Sequence, residues 1–488
     1  MLADRINPKI SVSVVFVLAM FMAIMDTTIV NVTLPTLGRE FHVPAAQIDS
    51  VIVGFLVSLA VFIPASGWLG DRFGTKRVFL TALVVFTIAS ALCGLAQSLT
   101  QLVWFRVLQG VGGGMLTPVG LAMLYRTFPP EERVRASSIL TVPTAFAPAL
   151  GPVLGGFLVS DVSWRWIFYV NVPIGVAGFL FGALFLHENR QAEAGRFDLP
   201  GFALAGAGFA GLMYALSEGP SRGWTSPSIV GLGLAGLVLL AALVRFELRA
   251  RQPMLDLRLA ANHLFRSTTL VMVVGTMAFL GTLYLVALFF QDGLGLSALN
   301  SGLSTFPEAL GVMASVQIAT RIYPYVGPRR MVMGGLTGVG LTTAAMALVG
   351  LDTDLWWMRG LMLLLGLSIG QVFVPAQAAA FATVSPASTG RASTLFNAGR
   401  QLGGAVGVAV LSTVIAAVGT TRQVDGHPAP HLASYHLAFL TAAALALVAA
   451  AFGGLIDDRA AAPTMRRRGR NAPAPVPAQV RREVAPAG

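Results

Sequence analysis

Charged side chains are scarce in this chain. Asp, Glu, Lys and Arg make up 11% of its 488 residues, against about a quarter in a typical soluble domain. So few charges cannot cover the surface of a water-soluble protein of this length. Cysteine is reduced to Cys93, which excludes an intrachain disulfide. Lysine occurs only at Lys9 and Lys76, every other basic residue being arginine, a bias of the kind a GC-rich genome imposes. No Gly-rich loop ends in Lys-Ser/Thr, so an ATP site is not expected. The six histidines have no metal-ligand spacing, and neither a metal nor a cofactor is expected. The alternating segments of about ten residues that an outer-membrane barrel requires are missing as well.

What is abundant is apolar sequence, 55% of the chain. It is laid out in runs long enough to cross a bilayer as helices, about 20 residues each. The runs predict fourteen spans near 12–34, 47–66, 78–97, 101–124, 136–160, 166–186, 198–217, 228–247, 267–290, 299–320, 331–350, 355–383, 393–418 and 434–456. The first could pass for a signal peptide, but it is too long, lacks a small-residue cleavage site and contains Asp26, so it reads as a retained span.

The net charge of +11 does not point to nucleic acid, because the charge is sorted by loop. Of the 33 lysines and arginines, 26 fall in the N-terminus, the even-to-odd loops and the tail; five lie in the opposite loops, and Arg106 and Arg400 lie inside spans. That asymmetry predicts both termini on the cytoplasmic side, facing the anionic leaflet.

The chain repeats itself. Arg135–Leu140 reads RASSIL and Arg391–Phe396 reads RASTLF, 256 residues later; Gly74–Val78 is echoed by Gly327–Met331 at an offset of 253. This spacing fits eight spans rather than six. It predicts an all-α integral membrane protein with a six-helix bundle over 1–190, two inserted helices and linkers over 191–262, a second six-helix bundle over 263–457, and a disordered Pro/Ala/Arg-rich cytoplasmic tail over 458–488. Repeated halves around a central site are a common transporter architecture.

Several motifs are decoys. Gly206, Gly208 and Gly211, like Gly231, Gly233 and Gly236, match a dinucleotide fingerprint but lie inside spans without a preceding strand; close helix packing explains them better. Gly366-Leu-Ser-Ile-Gly370 matches a hydrolase elbow, also mid-span and without a His partner. No catalytic constellation emerges.

Residues 67–77 read GWLGDRFGTKR. Its glycines allow a tight turn between two helices, and Asp71 is an anion in a basic loop, suited to the N-terminus of span thirteen and nearby arginines. Gly67, Asp71, Arg72, Gly74, Lys76 and Arg77 fill every defining position of the loop between spans two and three of the major facilitator superfamily. Residues 25–35 (MDTTIVNVTLP), 164–175 (WRWIFYVNVPIG) and 145–156 (AFAPALGPVLGG, with Gly151, Pro152, Gly155 and Gly156) resemble motifs of its fourteen-span drug:proton antiporters, the EmrB/QacA-type branch. The resemblance covers the chain up to the tail, more loosely in the second half, whose copy of the loop motif lacks the Asp. It implies proton-coupled efflux of hydrophobic or cationic small molecules across a bacterial inner membrane, by a monomer without a cofactor, with the loop motif and the Gly151–Pro152–Gly155 segment as conformational gates. A dedicated exporter of an endogenous metabolite, antibiotic, siderophore or lipid on the same fold stays open, as does a channel; an outer-membrane partner system is not determined.

Four ionisable residues lie within spans, where charge is costly and usually functional. Asp26 and Arg106 both fall in the outer leaflet half, roughly 12 and 8 Å deep at 1.5 Å per residue, and are expected to meet across the N-terminal half as a proton-coupling pair. Arg106, Gly110, Gly113 and Thr117 share one helical stripe, whose glycines admit a neighbouring helix. Glu308, beside Pro307, is a candidate cation-attracting residue of a substrate cavity together with Asp26 and Arg400; Ser304 is its candidate local partner, and Arg400 could pair with it or stabilise the seam between halves.

Overall fold

In a computed structural model, residues 6–43, 45–190, 196–250, 253–419, 421–424 and 427–465 are described. Fourteen long helices account for most of them: α1 (Pro8–Glu40), α2 (Ser50–Phe73), α3 (Thr75–Leu95), α4 (Leu99–Thr127), α5 (Arg133–Asp161), α6 (Asn171–Phe185), α7 (Leu199–Arg222), α8 (Pro227–Glu247), α9 (His263–Leu288), α10 (Ala298–Val326), α11 (Pro328–Met346), α12 (Leu355–Ala380), α13 (Thr389–Val418) and α14 (Leu432–Gly453). They coincide one for one with the fourteen apolar runs.

Eleven membrane-crossing segments, one on each long helix except α5, α10 and α11, are long and apolar enough by length and composition. Of the other three, α10 carries Ser301, Ser304, Thr305, Glu308 and Arg321, α11 is rich in Gly and Thr, and α5 includes side chains that lie outside the described residues. Among the described residues, the one departure from an all-helical fold is a short antiparallel hairpin, Thr421–Val424 with His427–Pro430, between α13 and α14.

The helix ends are written locally. Asn7, Ser98, Asp198, Asn262, Ser297 and Asp354 each accept a backbone N–H from the first turn of the following helix, satisfying donors that would otherwise be orphaned. At the start of α3 and of α11 the chain turns through Gly74 (φ +98°) and Gly327 (φ +79°), a conformation that a side chain disfavours.

Helices α1 to α6 pack among themselves, α2 and α3 on α4 and α1 on α5 and α6; α9 to α14 do the same, α10 on α12, α9 on α13 and α14, and α11 on α12 and α14. The two sets meet along α5 against α10 and α12, and along α2 and α4 against α13. Helices α7 and α8 pair with each other, and α7 lies on α2 and α13. Part of the segment assigned to the tail is folded: Thr464 is buried and hydrogen-bonds the Tyr323 hydroxyl at 2.7 Å, and Asp458 receives the Arg329 N–H at 2.9 Å. Ala461 and Thr464 supply buried surface, which the composition of the whole tail concealed. Residues 466–488 lie outside the described residues.

Candidate functional site

Helices α1, α4 and α6 bring polar groups to a common point inside the first bundle. Asp26 of α1 is fully buried and Arg106 of α4 nearly so. The Arg106 Nη1 donates to Asp26 Oδ2 at 2.5 Å. Gln109 Nε2 and Asn171 Nδ2 donate to Asp26 Oδ1 at 2.9 and 2.8 Å. Arg106 also donates to Gln109 Oε1 at 2.7 Å and from Nε to the Val51 carbonyl at 3.3 Å, and its guanidinium stacks 4.3 Å from the Phe55 ring centre. Asn171 donates further to Ser90 Oγ at 3.0 Å, and Ser90 to the Phe168 carbonyl at 2.9 Å. A charge pair survives such burial when its remaining donors and acceptors find partners; Gln109, Asn171 and Val51 supply them here, while Asn171 Oδ1 is itself buried without a partner among the described residues.

Glycine makes the approach possible. A Cβ at Gly110 would stand 2.6 Å from the Phe55 carbonyl oxygen, and one at Gly114 2.5 Å from that of Leu59, so α4 lies backbone to backbone on α2 beside Arg106. Gly113, in the expected stripe, meets only the Phe55 and Leu59 side chains at ordinary distance, and Thr117 Oγ1 reaches Met20 Sδ at 3.3 Å. On the other side of α1, a Cβ at Gly151 would run into Thr28, and one at Gly155 would stand 2.9 Å from Ile29 Cγ1; Gly156 has open space. The side chain of Pro152 lies outside the described residues.

The loop motif forms a second cluster at the arginine-rich end. Asp71 accepts from Arg126 Nη2 at 2.6 Å, and a Cβ on Gly390, the second residue of α13, would stand 2.8 Å from Asp71 Oδ1. The carboxylate therefore faces a helix N-terminus, where negative charge is favoured. Gly67 lets α2 touch α13: its Cβ would meet Thr394 Oγ1 at 2.5 Å and the Gly390 carbonyl oxygen at 3.0 Å. Gly74 leaves room for the Glu188 carboxylate, which takes the N–H groups of Lys76 and Arg77 at 3.0 and 3.2 Å. Lys76 Nζ donates to the Ala183 and Leu186 carbonyls at the end of α6. Arg77 approaches Glu188 only to 3.8 Å, and Arg72 is exposed.

Other ties between the bundles gather at this end. Ser393 Oγ donates to the Pro118 carbonyl at 2.7 Å, Ser66 and Thr394 share a hydrogen bond of 3.3 Å, Arg126 Nε donates to the Pro386 carbonyl at 3.3 Å, Arg133 donates to the Phe381 carbonyl, and Tyr125 stacks on Phe381 at 4.5 Å.

The structure does not bring Glu308 and Arg400 together. Glu308 is 5% exposed on α10 and makes no hydrogen bond or ion pair among the described residues; Arg400 on α13 makes none either. Ser304 does not satisfy Glu308, since its own buried hydroxyl has no partner. The Glu308 backbone is pressed on Gly366 of α12, and the helix crossing holds the residue there.

Sequence reasoning missed Gln109, Asn171 and Ser90 because it weighed only ionisable residues. The signal was present: Gln109 stands three residues after Arg106, on the same helical face, and Asn171 is an amide inside an apolar stretch. Glu188 and Arg126 were also missed as individual partners, since their contacts cross between loops far apart in sequence.

Residues 16–408 match the profile of the Major Facilitator Superfamily. The chain is 34% identical over 405 residues to a multidrug resistance protein B homolog of Mycobacterium tuberculosis, covering 82% of this chain and 75% of that one. It is 32% identical over 454 residues to a putative multidrug resistance protein, MdtD, of Pectobacterium carotovorum, covering 92% and 95%. A crystal structure of the human organic anion transporter MFSD10 superposes with a TM-score of 0.68 at 17% identity, over 92% of this chain and 100% of that one, a likeness of fold alone. With the profile spanning most of its length and these relatives matched over three quarters or more of theirs, the chain belongs to the major facilitator superfamily, as a multi-pass membrane transporter.

Proposed function

We propose that this protein exports hydrophobic or cationic drug-like molecules across the inner membrane, driven by protons moving inward, with both termini cytoplasmic. Supporting the substrate class are the relatives named as multidrug resistance proteins. The observation that carries the coupling is the buried Asp26–Arg106–Gln109–Asn171 network. Three donors point at this carboxylate; a proton on it cancels the charge that Arg106 is paired with and forces one oxygen to become a donor among donors. The network then has to rearrange, and α1, α4 and α6 with it. Each inward proton supplies about 2.3 kcal/mol per 100 mV of membrane potential.

Alternating access supplies the rest. With Asp71, Gly67 and Ser393 in contact across the seam, the arginine-rich end is shut, and on the positive-inside reading that end is cytoplasmic. Opening toward the cytoplasm requires the Asp71 contact with α13 to break, so the loop motif acts as a latch. Glu308, buried and unpaired on α10, offers a carboxyl group with which a cationic substrate can form an ion pair once water is excluded. Uptake of a panel of cationic dyes and neutral toxins into inverted vesicles, with and without an uncoupler, tests the reading: accumulation that an uncoupler abolishes is expected, and accumulation indifferent to it would remove proton coupling.

A further inference from the structure

The two helices between the bundles touch both of them, by different means. Against α13 two of the contacts are directional. At one end the Trp224 indole N–H, just after α7, donates to Thr413 Oγ1 at 2.8 Å. At the other, Asp256, just after α8, lies 3.7 Å from Arg391 Nη1 at the start of α13. Between them, Met254 and Leu255 of the same connection are buried in a cluster that includes Ala398 of α13, with Leu402 and Ala405 packed against it.

Against α2 the contact is apolar. Phe202 meets Phe62 edge-on at 5.8 Å, Val61 Cγ1 lies 3.2 Å from where a Cβ on Gly206 would be, and Ala60, Ile63 and Ala65 share a cluster with Ala205, Phe209 and Met213. Among the described residues no hydrogen bond or ion pair joins α2 to α7 or α8. Where charges do come near, at Asp49 ahead of α2 and Glu218 on α7, they are alike: burial and then the Glu218 carboxylate push Asp49 above its ordinary value. Arg222 spends itself on Glu218 one turn away. The pair itself is stiff, since Gly211 and Gly236 bring the backbones of α7 and α8 together, a Cβ at either coming within 2.8 Å of backbone atoms across the seam.

We infer that α7 and α8 travel with the C-terminal bundle, pinned to α13 at both ends by Trp224–Thr413 and Asp256–Arg391, and that their apolar face on α2 is a surface along which the bundles slide. Apolar packing is non-directional and tolerates sliding between packed helices, whereas the two polar pins fix position along and around α13. The inference rests on the alternating-access reading above.

Spin labels in a Cys93→Ala background test it. Leu95 on α3, Val230 on α8 and Leu437 on α14 are all exposed. When substrate or pH drives the cycle, the Leu95–Leu437 and Leu95–Val230 distances are expected to change together while Val230–Leu437 stays fixed. A change in Val230–Leu437 with Leu95–Val230 fixed would overturn the inference, placing the pair with the first bundle while leaving alternating access intact. An unchanged Leu95–Leu437 distance would instead remove the rocking motion, and the inference with it. Trp224→Phe, which loses the pin but keeps an aromatic side chain, is expected to broaden the Val230–Leu437 distribution. In a second arm, Val61→Cys with Gly206→Cys forms a disulfide across the sliding face; transport is expected to stop on oxidation and return on reduction. Full transport in the oxidised protein would show that α2 and α7 move as one and overturn the inference.

Discussion

Exchanging Asp26 for Asn separates a coupling site from a static ion pair. The amide has nearly the same shape, but only one of its two ends accepts a hydrogen bond. Its oxygen can keep both Gln109 and Asn171, which share Asp26 Oδ1, and its NH2 is then turned on Arg106 Nη1, which also donates. The single variant therefore leaves a buried guanidinium without its counter-charge. Breaking a buried pair by removing one partner costs about 3–5 kcal/mol. Arg106→Ala strands the carboxylate and should cost a similar amount, whereas Arg106→Lys keeps the charge and loses the fork. Asp26→Asn combined with Arg106→Gln makes the site neutral and able to hydrogen-bond throughout, and most of the lost stability should return. Thermal unfolding of the purified variants reads the stability, and dye uptake into inverted vesicles reads coupling. Recovery of stability without recovery of proton-driven transport is expected. If the double variant pumps against a gradient as the parent does, Asp26 is a structural ion and the coupling reasoning is wrong.

In a Cys93→Ala background, Cys at Arg77 or Ser385 should react with an impermeant maleimide only from the cytoplasm, and Cys at Thr225 only from outside; all three positions are exposed, and labelling of Arg77→Cys from outside would reverse the topology. Gly151→Val drives a branched side chain into Thr28, at a cost of about 1–3 kcal/mol for overpacking, and should cripple efflux while every charge remains; normal efflux in inserted protein would make this segment a matter of composition alone. Glu308→Gln removes a charge and keeps the shape, so efflux of dicationic dyes should fall more than that of neutral drugs, with monovalent cations between; equal loss in all three classes would reassign Glu308 to coupling or folding.

The fold was legible because membrane helices advertise themselves: each apolar run became one helix. The Asp26–Arg106 contact was legible for a related reason. Two opposite charges at similar depth in one bundle have few other partners in hydrocarbon. That argument failed for Glu308 and Arg400, because similar depth does not place residues on facing sides of two helices, and here a tight crossing of α10 on α12 fixes Glu308 independently of α13. It was silent on Gln109 and Asn171, since neutral amides barely alter hydropathy although they complete the site. The packed start of the tail was hidden by averaging Asp458 and Thr464 with the arginine- and proline-rich residues beyond them.

The two copies of the loop motif show which of its parts belong to the turn and which to the gate. Both keep the glycine with positive φ, Gly74 and Gly327, and both fill the space beside it with a carboxylate that takes backbone N–H groups of the next helix, Glu188 for α3 and Asp458 for α11. That is a helix-capping device, and each half needs its own. The position of Asp71, three residues before the glycine, is Pro324 in the second copy, which can neither carry charge nor donate. The corresponding seam, α10 and α12 against α5, is closed with the opposite polarity: Arg133 at the start of α5 donates to the Phe381 carbonyl just beyond the end of α12. A carboxylate against a helix N-terminus and a guanidinium against a helix C-terminus are complementary uses of the same dipole. The halves are thus tied at two related points by unlike chemistry. Neutralising Asp71 releases only one of them, and a second copy of the Asp is not required for closure.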